Sequence, residues 1–190
     1  MMLIAALWVS PAAAAERQLK PFFGATFGGS TTFVDPESAS GTWNPAIGIG
    51  AVWLGEMFGA EVDVFDAPGF FETGDKELVR NSHVVGITGN VIIAAPHRLT
   101  EYSLRPYLVG GAGFMHVKTT TTFNVFDVSA VIPTVDIGAG ATAFVTDQVG
   151  VSWELRRFQS LGGDTDTGGL TFGGRHLSYW RATMAVVIRY

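Results

Sequence analysis

Cysteine is absent from the 190 residues, so a disulfide framework, a thiolate metal site and a lipid-bearing cysteine behind a leader are all excluded. Charge is scarce too: Asp, Glu, Lys and Arg make up 15% of the chain, where soluble domains average about 25%. Twelve Lys+Arg stand against 17 Asp+Glu, with no basic cluster, which argues against a nucleic-acid partner. Uninterrupted apolar runs of helical membrane length are missing as well. The longest candidate, Val84 to Pro96, is broken by Gly86, Gly89 and Asn90, which argues against a helical membrane protein. Yet 47% of the residues are hydrophobic. That apolar surface has to face something other than water, and there are no long helices to insert.

The N-terminus points to export. Met1 to Ala15 carries no charge, and the apolar stretch Met2 to Val9 runs through Ser10-Pro11 into Ala12 to Ala15. Residues 1–15 read as a secretory signal peptide cleaved near Ala15-Glu16, leaving 16–190 as one domain. A buried N-terminal helix is the competing reading; Pro11 and the alanine run fit cleavage better.

Beyond the leader, period-2 alternation dominates and helical periodicity is nearly absent, which predicts an all-β chain. Phe23, Ala25 and Phe27 share a face within Phe22 to Gly29. Ile47, Ile49, Ala51 and Trp53 do so within Ala46 to Gly55, and Phe58, Ala60, Val62 and Val64 within Phe58 to Phe65. In His83 to Ala94, Val85, Ile87, Val91 and Ile93 alternate with Val84, Gly86, Thr88, Asn90 and Ile92. Leu104 to Val117 is a strand whose facing stays open, since Leu108, Val109, Gly110 and Gly111 allow either register. Ile132 to Val145 sets Val135, Ile137, Ala139, Ala141 and Val145 against Asp136, Gly138, Gly140 and Thr142. Val149 to Phe158 sets Val149, Val151, Trp153 and Leu155 against Gly150, Ser152, Glu154 and Arg156. Leu177 to Tyr190 closes the series, making eight strands.

The connections alternate as well. Glu56-Met57, Pro96 to Ser103 and Thr146 to Gln148 are short, whereas Ser30 to Pro45, Asp66 to Ser82, Lys118 to Val131 and Gln159 to His176 are long. Short turns at one end and long loops at the other are the layout of an eight-stranded antiparallel up-and-down transmembrane β-barrel in an outer membrane, with both termini periplasmic.

Soluble and membrane barrels both alternate, so what decides is which face forms a coherent surface. The continuous, bulky face suits lipid. The other is rich in glycine and carries Glu61, Asp63, Asn90, Asp136, Glu154, Arg156, Arg181 and Arg189. Glycine on one face suits crowding toward the axis of a narrow barrel. Strands rise ~3.3 Å per residue, so Glu61, Asp63, Glu154, Arg156 and Arg181 fall at similar heights above the short turns. These polar residues are expected to form a lumenal network that occludes the barrel, because buried charges are tolerated only when paired; the competing reading is that some line a hydrated channel mouth. Phe22, Trp53, Phe58, Tyr107, Trp153, Trp180 and Tyr190 fall near strand ends, where aromatic rings prefer the headgroup region.

The C-terminal residues Ala182, Met184, Val186, Ile188 and Tyr190 resemble the closing-strand signal of bacterial outer-membrane barrels, with apolar residues alternating back from a terminal aromatic. With Gly59 to Val64 (GAEVDV), Arg105 to Gly113 (RPYLVGGAG) and Trp153 to Phe158 (WELRRF), the chain from about Lys20 to Tyr190 is similar to the small eight-stranded OmpA-like barrel family of surface proteins. It departs in ending on Tyr instead of the more usual Phe and in carrying no peptidoglycan-binding domain after the barrel. The resemblance implies an outer-membrane location, contact with lipid and lipopolysaccharide, and reading of the C-terminal signal by the barrel-assembly machinery.

Other chemistry finds little support. His83, His97, His116 and His176 lack ligand spacing, so no metal site is expected. Gly138 to Ala143 matches a dinucleotide-binding pattern but lies within a strand with no helix after it. Arg175-His176-Leu177-Ser178 resembles the His and Ser at i and i+2 of outer-membrane lipid A ester hydrolases, though the acid expected downstream is missing. The sequence therefore predicts a non-enzymatic, cofactor-free, monomeric barrel whose long loops serve surface contacts. A lipid A hydrolase built on His176 and Ser178 and a soluble exported ligand-binding barrel are the alternatives.

Overall fold

A computed structural model describes residues 16–31, 43–70, 79–96, 104–121, 128–161 and 177–190. The expected leader, residues 1–15, lies outside them, as do His97 and His176. The chain forms a closed barrel of eight strands, β1 (Glu16–Thr31), β2 (Asn44–Leu54), β3 (Phe58–Pro68), β4 (Val79–Ala94), β5 (Leu104–Thr121), β6 (Val128–Phe144), β7 (Val149–Ser160) and β8 (Leu177–Arg189). Every strand pairs antiparallel with its sequence neighbour, and β1 pairs with β8 to close the cylinder. Closure removes both sheet edges, so every backbone N–H and C=O of the wall has a ladder in which to pair.

The facing follows the predicted alternation. Phe23, Ile47, Ile49, Trp53, Val62, Val85, Ile87, Val91, Ile137, Trp153, Leu155, Met184, Val186 and Ile188 point outward and are exposed. Their neighbours Val52, Glu61, Asp63, Asn90, Asp136, Ser152, Glu154, Arg156 and Arg181 point inward and are buried. The facing of β5, open in the sequence, is settled by closure. Arg105, Tyr107, Val109, Met115 and Val117 face the lumen, while Leu104, Leu108 and Phe114 face out.

Several strands extend beyond their predicted limits. β1 begins at Glu16 and not near Phe22, because Gln18 and Lys20 continue the inward parity of Phe22 although the segment is too polar to show an apolar face. β4, β5 and β6 likewise run further into the long connections. Two of the expected headgroup aromatics are corrected: Phe22 and Tyr107 face the lumen, each adjoining an outward-facing residue, Phe23 or Leu108. Trp53, Phe58, Trp153 and Tyr190 do lie outward near the short turns.

The closing seam is the least regular ladder. β1 pairs with β8 up to Leu19↔Ile188 and resumes at Phe22↔Ala185, and Pro21 between them has no N–H to donate. Farther up, the register shifts between Phe27 and Ser30, where Gly28 takes φ +59°, a left-handed conformation that costs other residues energy.

Candidate functional site: the lumenal network

The inward side chains stack in three layers along the barrel axis. Nearest the short turns lies an apolar layer of Val52, Leu54, Ile92, Ala94 and Val109, with the Tyr107 ring among them. Above it come the charges. Toward the long connections, Phe22, Phe65, Phe70, Met115, Phe158 and Tyr179 form an aromatic layer, in which Phe158 stacks on Tyr179 with ring centroids 5.1 Å apart and Phe70 meets Tyr179 edge-on at 4.9 Å.

Arg156 of β7 is the hub of the middle layer. It is 0% exposed and reaches carboxylates from three strands: Glu61 of β3, Asp136 of β6 at 3.3 Å and Glu154 of its own strand at 2.9 Å. Asn90, oriented so that both ends of its amide are satisfied, donates to Asp136 at 3.0 Å and accepts from Arg156 at 2.7 Å. Arg181 of β8 grips Asp63 of β3 through two hydrogen bonds of 2.9 and 3.0 Å, the fork geometry that suits guanidinium to carboxylate. Its guanidinium also lies 4.7 Å from the ring centres of Phe22 and Phe65 and 4.9 Å from that of Phe158, so it joins the charged layer to the aromatic one.

Lys20 of β1 completes the layer. Its ammonium lies 3.3 Å from Glu61 and 3.5 Å from Glu154 and donates to the Tyr107 hydroxyl at 3.2 Å. Tyr107 in turn donates to Glu154 at 2.8 Å and shares a hydrogen bond of 3.0 Å with Ser152. Four carboxylates, Glu61, Asp63, Asp136 and Glu154, thus meet three cations, Lys20, Arg156 and Arg181. The amide of Asn90 and the hydroxyl of Tyr107 supply further donors. A residual cavity of about 10 Å³ beside Lys20, Asp63, Ser152 and Thr183 has room for about one water.

Seven of the eight polar residues singled out in the sequence, Glu61, Asp63, Asn90, Asp136, Glu154, Arg156 and Arg181, come together here. Arg189 does not. It sits at the mouth beside the short turns, where it bonds Glu16 at 2.5 Å and the Asp147 carbonyl at 3.3 Å, because inward parity at a strand end leads to the rim and not to the centre. Sequence reading missed Lys20, Tyr107 and Arg105. Extending the inward parity of Phe22 backward would have reached Lys20. Tyr107 and Arg105 became legible only with the facing of β5. Arg105 closes the same mouth, donating to the carbonyls of Gly55 at 3.0 Å, Glu56 at 2.6 Å and Ala95 at 3.0 Å.

On the wall, Ala182, Met184, Val186, Ile188 and Tyr190 face outward as one row along β8, with Tyr190 73% exposed and its amide bonded to the Arg17 carbonyl at 3.1 Å. Ser178 is buried at 7% exposure and paired in the β7–β8 ladder opposite Gln159, while its suggested partner His176 lies outside the described residues.

With this geometry, comparison with solved structures is decisive for the fold. Neisserial surface protein A superposes with a TM-score of 0.67 at 12% identity, covering 95% of this chain and 100% of that one. The chain has the fold of the small eight-stranded outer-membrane barrels. The N-terminal β-barrel domain of Pseudomonas aeruginosa OprF matches at 0.55 and 12% identity, over 93% of this chain and 98% of the other. Ail, the attachment invasion locus protein of Yersinia pestis, matches at 0.51 and 11%, over 92% and 99%. No family model and no curated protein sequence matches the chain. A barrel of this type, apolar outside and charged within, crosses the outer membrane with its strands.

Proposed function

We propose that this protein is a non-enzymatic integral outer-membrane barrel whose lumen is closed by its own side chains and whose rigid wall carries four long connections for contacts at the cell surface. The observation that carries this reading is sidedness. Glu61, Asp63, Arg156 and Arg181 are at most 2% exposed in the interior, while the wall outside them is aliphatic and aromatic. Water outside would leave that wall unsatisfied, and lipid inside would leave the charges so.

Three stacked layers of buried side chains in the described part of the lumen support closure over a porin role. Loops on a rigid scaffold are where specificity resides. The names of two similar proteins, a surface protein and an attachment protein, agree with a contact role. The outward row ending in Tyr190 supports reading of β8 by the assembly machinery, and the apolar wall supports lipid and lipopolysaccharide as its surroundings, with the barrel as a monomer.

Two measurements test this. Unheated protein from isolated outer membranes should migrate differently from heated protein on a detergent gel, since folded barrels resist detergent; recovery in the aqueous fraction without detergent would point instead to a soluble barrel. In a planar lipid bilayer the folded protein should show no steady conductance. Stable porin-sized openings would overturn closure of the lumen.

A further inference from the structure

Among the described residues, the outer half of the wall carries an outward charge, that of Arg157, with no ion-pair partner. Arg157 of β7 lies next to the hub Arg156 in sequence but points the opposite way, outward, and is exposed. Its guanidinium rests over the Trp180 ring of β8 at 5.5 Å. Trp180 pairs with Phe27 of β1, and Phe27 stacks on Trp43, just before β2, with ring centroids 5.1 Å apart. Arg157, Trp180, Phe27 and Trp43 therefore form a row from β7 across β8 and β1 to the residue before β2.

The height of that row follows from strand rise. Arg157 is eight residues above Val149, the first residue of β7, and Trp180 nine residues above Arg189, the last of β8. Arg189 adjoins the short turns, so Trp180 stands above it as Arg157 stands above Val149, and at ~3.3 Å per residue and a tilt of about 40° both lie roughly 20–25 Å above those turns. The apolar band of such a barrel is about 25 Å tall, so the row marks its outer edge. Below it on the same strands the outward residues are Leu155, Trp153, Val151, Ala182, Met184 and Val186, all apolar.

A guanidinium at the edge of hydrocarbon needs an anion or water. On the opposite wall, the outward carboxylate of Asp66 lies 2.7 Å from the His83 ring. Arg157 has no such partner: among the described residues, no carboxylate forms an ion pair with it. We propose that Arg157 and the Trp180–Phe27–Trp43 row form a docking site for a phosphate-bearing lipid of the outer leaflet. The guanidinium takes the phosphate, and the rings flank the boundary between headgroup and acyl chains. Charge complementarity selects the occupant, since a bare cation beside an apolar wall fits a lipid that is anionic at one end and apolar at the other. This rests on the membrane reading above.

The test is native mass spectrometry of the detergent-folded protein titrated with bisphosphorylated lipid A and, separately, with dephosphorylated lipid A. Wild type should retain the phosphorylated lipid preferentially. Arg157→Gln should weaken that retention about ten-fold and leave the dephosphorylated lipid unaffected, while Arg17→Gln, which removes an outward arginine at the periplasmic end, should behave as wild type. Equal retention by wild type and Arg157→Gln, or equal affinity for the two lipids, would overturn the proposal. Displacement of the lipid's advantage by millimolar inorganic phosphate would equally count against it, because a free anion lacks the acyl chains the rings contact. The gel shift of each variant is read in parallel. An unfolded wild type indicts the membrane reading, whereas a folded Arg157→Gln with unchanged lipid retention indicts only the docking site.

Discussion

Arg181 and Asp63 sit three strands apart around the cylinder and are joined across the lumen by two hydrogen bonds of 2.9 and 3.0 Å, with both side chains essentially buried. Such a pair ties opposite walls together, and its energetic weight lies mainly in what happens when one partner is lost. Removing one member of a buried pair leaves an uncompensated charge and costs about 3–5 kcal/mol, whereas replacing both by apolar groups of similar size is often nearly neutral. Arg181→Ala and Asp63→Ala should each lower the urea midpoint of the detergent-folded barrel. The double variant Arg181→Met/Asp63→Leu should lose less than either single one. If Arg181→Ala unfolds at the wild-type midpoint, the pair contributes nothing.

Glycine in the lumen makes room for rings. A methyl group placed on Gly86 of β4 would sit 2.3 Å from Cε1 of Phe65. Gly86→Ala should therefore destabilise by about 1–3 kcal/mol through overpacking. Adding Phe65→Leu to Gly86→Ala should recover part of the loss, a non-additivity that a double-mutant cycle of unfolding free energies measures directly. Additive penalties would show that the ring yields without cost.

Arg105 acts as a clasp on the mouth beside the short turns, because one guanidinium satisfies carbonyls from the β2–β3 turn and from the end of β4. Hydrogen bonds to charged groups contribute about 1.5–3 kcal/mol. Arg105→Ala should lower stability by an amount in that range. It should also speed hydrogen exchange at the amide of Gly55, which bonds the Phe58 carbonyl at 2.8 Å. Exchange there at the wild-type rate would mean that the turn holds without the clasp.

The β1–β8 seam should open first. Its ladder is interrupted at Pro21 and shifted at Gly28, whereas β5 and β6 pair without a break from Leu104↔Ala143 to Thr119↔Val128. Local opening follows the density of such bonds. Hydrogen exchange followed by mass spectrometry in micelles should find peptides covering Val186 and Val187 exchanging earlier than those covering the centre of β6. The reverse order would assign the weak seam elsewhere.

Much of this was written along the chain. The alternation of Phe58, Ala60, Val62 and Val64 with Gly59, Glu61, Asp63 and Phe65 states which side of β3 meets lipid, because adjacent side chains of a strand must point to opposite faces. That rule failed where composition blurred it. In β5, Gly110 and Gly111 have no side chain to declare a face, so Tyr107 and Arg105 could not be placed. In β1, Pro21 and the polar residues before it hid the strand that carries Lys20.

Strand number, the alternation of short and long connections and the division into a greasy and a charged face were determined by the sequence itself, since each depends on the local order of residues along the chain. Which charges meet was decided only by the tertiary structure. Glu61, Asp136 and Glu154 converge on Arg156, and Arg189 is left at the rim, because the tilt and stagger of a closed barrel bring residues far apart in sequence to a common height. No segment read alone carries that stagger; it is a property of the closed ring.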